Sequence, residues 1–350
     1  MILSLGISPQ PGALERAQKL LLELGMQYQV LHTPNATVIV VTSDADALPG
    51  HLFTQLDGIE KVVRLGNRSP LSRPGADGAL GVTFGHGPAA VTVGGGAAPL
   101  IVAGPCSVES REHILETTAA VKTAGARALR GGAYKPRTSP YDFQGLGLEG
   151  LKYLREAGEA FQMPVISEVM SADQIAGAAP YVDVFQVGAR NMYNYELLKE
   201  LGRQPKPVLL KRAMSATVDE LVQSAEYILS EGNPWVILCE RGIRTFETRV
   251  RNTLDLSCVP VLRSLTNLPV MVDPSHAVGK RDFIRTMSRA AIACGADGLL
   301  LETHLVPAKS ISDAAQAISP AVLSEIVKDA QVIYNALNPK ITVQSGAISQ

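Results

Sequence analysis

From residue 100 to about residue 337 one unit recurs eight times: a short apolar run that ends in polar residues, then a stretch of helical composition. The runs lie at 100–103, 128–130, 164–168, 182–187, 207–212, 235–240, 269–273 and 298–302. The helical stretches lie at 110–124, 148–161, 172–179, 194–202, 217–231, 252–266, 281–294 and 318–337. Three runs open with Pro-Val, at 164, 207 and 269, where proline ends the preceding helix and gives up only an edge donor. Strands that are continuously apolar, with helices between them, belong to a parallel sheet covered on its faces. Eight such units predict a closed (β/α)8 TIM barrel over 100–337. An open doubly wound sheet is the alternative.

The residues before the repeat read differently. Over 12–24, Leu14, Ala17, Leu21 and Leu24 share one helical face. Strands are expected at 2–7, near 27–32, at 37–42 and at 60–65, with a second helix at 48–56. The order β-α-β-β-α-β predicts a small ferredoxin-like α+β domain over 1–70. Residues 71–99 are rich in Gly, Pro and Ser and hold two alternating runs, Gly81-Val82-Thr83-Phe84 and Ala90-Val91-Thr92-Val93. They predict a linker whose β-hairpin caps the barrel. The polar stretch 338–350 is expected to be a flexible tail.

Composition narrows the function classes. The 350 residues are 46% hydrophobic, enough for one large core and a smaller one, and the net charge of −1 argues against nucleic-acid or membrane-surface partners. No apolar run reaches the ~20 residues that span a bilayer. The first residues lack the basic flank of a signal peptide. Four cysteines in a chain this long fit reduced thiols and a cytoplasmic location rather than a disulfide framework.

In such barrels the chemistry sits where the strands end. Almost every run delivers a charged group there, and the groups sort into two sets. Arg130, Lys135, Arg137, Arg190, Lys211 and Arg241 form a cationic set suited to phosphate and carboxylate, enough for two phosphorylated ligands of which one is also a carboxylate. Any one of these cations could instead pair with Glu168, Glu240 or Asp273 as a structural bridge. Cys106, His276 and Glu302, with Asp313 from the loop after the eighth strand, make a mixed donor set for a borderline divalent ion. Spacing alone leaves that cage undecided, since a lone Cys is often a small packing group. His304 reads as a loop or supporting residue. Cys239 shares strand parity with Arg241 and is expected inside the barrel as a buried thiol, with a redox pair to Cys106 as the alternative; Cys258 and Cys294 read as packing residues.

The motifs themselves add a resemblance. Lys135-Pro136-Arg137-Thr138-Ser139-Pro140-Tyr141, preceded by Arg130-Gly131-Gly132, resembles the sugar-phosphate signature of the 3-deoxy-D-arabino-heptulosonate 7-phosphate (DAHP) synthases. Ala103-Gly104-Pro105-Cys106-Ser107, Gly188-Ala189-Arg190-Asn191, Leu210-Lys211-Arg212, Cys239-Glu240-Arg241-Gly242 and Asp273-Pro274-Ser275-His276 resemble that family's other blocks, in the same order. The front end is similar to the type I-beta branch. The one small departure is Thr303, where relatives usually carry valine.

The resemblance implies a metal-dependent, aldol-like condensation of phosphoenolpyruvate with erythrose 4-phosphate that releases phosphate. It places one divalent ion (Mn, Fe, Co or Zn) on Cys106, His276, Glu302 and Asp313. Phosphoenolpyruvate falls on Arg130, Lys135, Ala189, Arg190, Lys211 and Arg241, and the aldose phosphate on Arg137 and Thr138. Lys135 becomes the candidate for proton transfer, since like charges around it would lower a lysine pKa. His276 and Cys106 complete the expected catalytic group. It further implies a homo-tetramer and an aromatic amino acid effector at residues 1–70. The rival readings are a sister enzyme acting on another aldose, such as arabinose 5-phosphate or an N-acetylated sugar, and a non-catalytic metabolite-binding barrel.

Overall fold

The computed structural model describes all residues except 6–8, 34–35, 44–50, 64–68, 70, 73–78, 136–140 and 340–350. The chain divides into two compact units, Met1–Arg73 and Pro74–Gln350. In the first, β1 (Ile2–Ser4), α1 (Ala13–Glu23), β2 (Tyr28–Thr33), β3 (Ala36–Val41), α2 (His51–Thr54) and β4 (Lys61–Val63) follow in the expected order. The strands form one antiparallel sheet in the order β2-β3-β1-β4, the ferredoxin-like arrangement. Along β3 buried and half-buried residues alternate, as a sheet with one covered face requires. Helix α1 buries Ala13, Ala17 and Leu21, one residue per turn, against Leu3, Ile39 and Phe53. Parts of the segments expected at 2–7, 48–56 and 60–65 lie outside the described residues, as does most of the expected tail.

The second unit opens with the hairpin β5 (Gly81–Phe84) and β6 (Val91–Gly94). Its alternation puts Val82, Phe84, Val91 and Val93 on one face, and all four are buried. They pack against Leu100, Ala128, Ile166, Val184, Leu209 and Met271, which point inward near the starts of barrel strands. The hairpin is thus a plug at the N-terminal end of the barrel. Gly94 makes its close approach possible: at φ +78, a Cβ there would sit 2.5 Å from the Leu80 carbonyl oxygen and 2.7 Å from Pro269 Cβ.

The eight remaining strands are β7 (Leu100–Gly104), β8 (Ala128–Arg130), β9 (Val165–Val169), β10 (Val184–Val187), β11 (Val208–Lys211), β12 (Val236–Glu240), β13 (Val270–Val272) and β14 (Gly298–Glu302). All pair in parallel, and β14 closes on β7. Every residue of seven of these strands is buried, and in β9 only Glu168 is half-buried, which explains why the strands read as unbroken apolar runs. The principal helices around them are α3 (Arg111–Thr123), α4 (Gly147–Ala160), α5 (Asp173–Ala178), α6 (Tyr195–Gly202), α7 (Val218–Leu229), α8 (Cys258–Leu265), α10 (Arg281–Ala293) and α11 (Pro320–Leu337). Between β13 and α10 lies α9 (Pro274–Val278), which the sequence pattern does not reveal. Five residues are too few for a periodicity. Asp273 starts it by accepting the His276 amide at 2.9 Å, and Pro274 has no N–H to lose. Among the described residues no helix is long and apolar enough to cross a membrane.

Candidate active site

The C-terminal ends of β7, β8, β13 and β14 bring Cys106, Lys135, His276 and Glu302 together, and the loop after β14 adds Asp313. Sγ of Cys106 lies 3.3 Å from Asp313 Oδ2, 3.1 Å from Ser312 Oγ and 3.0 Å from Lys135 Nζ. Lys135 also donates to the Cys106 carbonyl at 2.9 Å. Gly132 leaves room for this contact; a Cβ there would stand 2.6 Å from that carbonyl oxygen and 2.8 Å from Lys135 Cδ. Ligand atoms of Cys106, Glu302 and Asp313 all lie within 4.8 Å of one another. His276 Nε2 is 3.0 Å from Glu302 Oε1, so a fourth donor atom faces the same space.

The charges around this cluster are tightly paired. Asp273 Oδ2 faces both Lys211 Nζ, at 2.6 Å, and His276 Nδ1, at 2.7 Å. Glu302 Oε1 also faces Arg130 Nη1 at 3.0 Å, and Gln316 Nε2 donates to its other oxygen. Burial opposes the charge on His276, yet Asp273 and Glu302 overcome it and hold the ring up at about 9. Burial likewise works against ionised Asp273 and Glu302; His276 outweighs it for both, joined by Lys211 at Asp273 and by Arg130 at Glu302, and both stay well below the usual carboxylate range. An Nδ1–H donated to Asp273 would leave Nε2 turned toward the cluster and able to ligate, an arrangement typical of metal-binding histidine. A thiol, an oriented imidazole and two carboxylates therefore fit a divalent transition ion.

Beside the cluster is a cavity of about 350 Å³. Lys135, Arg190, Lys211, Arg241, Arg244 and Arg251 line it against three carboxylates, Asp142, Glu168 and Asp313. Nη1 of Arg241 is buried without a hydrogen-bond partner among the described residues. Burial pulls the Arg241 pKa down even beside Asp273. An unpartnered buried guanidinium nitrogen in a cation-rich pocket is built for an anion.

Comparison with known proteins decides the family. The model of the DAHP synthetase I family matches residues 76–336. The chain belongs to this family. It is similar to phospho-2-dehydro-3-deoxyheptonate aldolase of Thermotoga maritima, 43% identical over 337 residues that span 95% of this chain and 98% of that one. It is also similar to a crystal structure of the Thermotoga maritima aldolase (DAHP synthase), with 40% identity, a TM-score of 0.72 and coverage of 96% and 97%. A 2-dehydro-3-deoxyphosphooctonate aldolase of Rhodopseudomonas palustris is 34% identical over 239 residues, 63% of this chain and 82% of that one.

Against the family's motifs, the expected residues divide as follows. Lys135, Ala189, Arg190, Lys211 and Arg241 line the cavity. Arg130 is buried, its Nη1 donating to the Pro105 carbonyl at 2.9 Å as well as to Glu302. Arg137 and Thr138 lie outside the described residues. Arg212 is a structural bridge, with Nη1 3.0 Å from Glu240 and 2.8 Å from Asp255. Cys239 points into the barrel interior among apolar side chains, and burial pushes its thiol up, as a buried packing cysteine requires. Cys258 is buried, but Cys294 ends α10 exposed, so the packing expectation fails for Cys294. His304 is buried beside His113, with ring centroids 4.5 Å apart, and its Nε2 is 3.6 Å from Glu109. Arg244, Arg251 and Gln316 escaped the sequence reading because they sit several residues beyond a strand end.

Proposed function

We infer that this protein is a 3-deoxy-7-phosphoheptulonate synthase, a transferase that condenses phosphoenolpyruvate with erythrose 4-phosphate, adds water at C2 of the phosphoenolpyruvate and releases phosphate, at the entry to aromatic amino acid biosynthesis. The observation that carries the reading is the family match over the whole barrel, joined to a cavity in which cations outnumber carboxylates two to one. Arg190, Lys211 and Arg241, with Ala189, hold the phosphate and carboxylate of phosphoenolpyruvate. Arg130, whose Nη1 also braces Glu302, and Lys135 belong to the same phosphoenolpyruvate set. Arg137 and Thr138 hold the aldose phosphate.

Cys106, His276, Glu302 and Asp313 would hold one divalent ion, Mn, Fe, Co or Zn by donor type, which would supply Lewis-acid polarisation of the aldehyde oxygen. Around it the chain's own groups do the rest. The Arg and Lys side chains fix both substrates in near-attack geometry, worth several kcal/mol of the barrier. Lys135 Nζ, pinned between the Cys106 carbonyl and the cavity, delivers a proton to the oxygen that becomes the new hydroxyl. His276 is oriented by Asp273. The first unit is assigned as a regulatory domain that takes an aromatic amino acid, and the working form as a cytoplasmic homo-tetramer.

A coupled assay of phosphoenolpyruvate consumption tests the activity. Erythrose 4-phosphate should support turnover, arabinose 5-phosphate should not, and a chelator should abolish it until a divalent ion is returned. Turnover with arabinose 5-phosphate alone would move the chain to the sister activity. No turnover with either aldose, in metal-replete protein, would favour a binding role.

A further inference from the structure

We propose that Arg251, in the loop between β12 and α8, is a positioning residue that sets the two carboxylates of the Cys106 cage for a cation. The proposal rests on the metal-cage reading above and extends it to a residue outside the four donors. Nη1 of Arg251 lies 2.8 Å from Gln316 Oε1 and 3.5 Å from Asp313 Oδ1. Gln316 is buried, and its amide nitrogen donates to Glu302 Oε2. One guanidinium nitrogen thus reaches both carboxylates, Asp313 directly and Glu302 through one amide.

Two features make this more than a surface ion pair. First, a glutamine amide can turn over, and the wrong face would set an oxygen against the Glu302 carboxylate. The Arg251 donor claims the Gln316 oxygen and so directs its NH2 toward Glu302. Second, Asp313 has φ +54, in the left-handed region that few residues other than glycine occupy. A backbone held there needs outside support. Its two oxygens are gripped from opposite sides, Oδ2 by Cys106 and Oδ1 by Arg251. Arg251 is itself anchored: its amide donates to Val278 at 3.1 Å, and that of Asn252 to Ala277 at 2.8 Å, both in the helix that carries His276. The residue therefore ties the loop after β12, the His276 helix and the Asp313 loop together at the cage. Because its side chain also lines the cavity, a plain anion contact is the competing role.

The test titrates metal-free full-length protein with Co²⁺, following thiolate-to-cobalt absorption, and in parallel follows binding of inorganic phosphate. In the wild type the thiolate band should appear and be lost in C106A. R251M and Q316L should each weaken Co²⁺ binding by about 10-fold or more, the usual scale for residues that orient ligands. The double variant should lose little beyond the worse single one, since both break one chain of contacts. R251K should restore most of the loss. Gln316 does not line the cavity, so Q316L should leave phosphate binding unchanged, and it carries the test if R251M does not fold. Co²⁺ affinity within twofold of wild type in both variants, with weakened phosphate binding in R251M, would overturn the positioning role and leave Arg251 an anion contact. Absence of the thiolate band in the wild type would instead remove the cage reading itself.

Discussion

Lys135 has two duties that pull in different directions. It neutralises the surroundings of Cys106, with Nζ 3.0 Å from Sγ and 2.9 Å from the carbonyl oxygen, and it presents the same nitrogen to the cavity. K135M keeps the length and apolar stem but removes the donor. It is expected to lower turnover by roughly 100-fold or more, the usual contribution of a positioned proton donor. The thermal midpoint should move by only a few degrees, because methionine fills the space of the buried lysine stem. Steady-state rates and a melting curve on the same preparation check both halves. Near-normal turnover would remove Lys135 from the chemistry, and a collapse of the melting transition would make its role structural.

At the scale of elements, the packing of α10 on α11 depends on a concentrated set of charges. Asp329 of α11 accepts from Nε of both Arg285 and Arg289 of α10, each at 2.7 Å. The two guanidinium hydrogen bonds hold its carboxyl down at about 2, against an ordinary 3.8. A depressed carboxylate stabilises the fold fully above its ordinary value and loses that contribution as pH falls through its folded value. The two arginines are well exposed, so screening limits the effect to ~1 kcal/mol. D329N should therefore melt below the wild type at pH 5 to 7, and the gap should close between about pH 4 and pH 2. A gap that stays constant down to pH 2 would show that the side chain acts by packing alone.

The same scale shows what a sequence can and cannot reveal. The barrel strands were legible because burial on both faces leaves unbroken apolar runs, and the charged residue ending most of the runs marks the rim. The hairpin was legible from its alternation, though its role as a plug needed the inward residues of six barrel strands to be seen together. Helix α9 was not legible: it is held by one aspartate cap and a proline, not by a periodic face. Four cage donors come from segments up to 207 residues apart, so no local motif marks them. The strand-end reading proposed them, the family resemblance supported them, and the fold brings them within reach of one another. Arg251 and Gln316 lie on neither a strand end nor a motif, and only distances expose them.

For the whole molecule, a net charge of −1 conceals a strongly cationic cavity. The charge that matters is sorted by the barrel, not carried by composition. Structural economy is similarly divided between the units. The barrel unit holds its own outer core, its own plug and every described donor of the cage. The first unit has a separate core built on Leu3, Leu21, Ile39 and Phe53. Units with independent cores fold independently as a rule. Residues 74–350 expressed alone should thus melt cooperatively and consume phosphoenolpyruvate with erythrose 4-phosphate at a rate within about threefold of the full chain. Inhibition by tyrosine or phenylalanine should appear in the full chain and vanish in the shortened one, since the effector site is assigned to the part removed. Equal inhibition of both would place the effector on the barrel. A shortened chain that folds, binds Co²⁺ and yet fails to turn over would mean that the first unit contributes to the catalytic state itself and not only to its control.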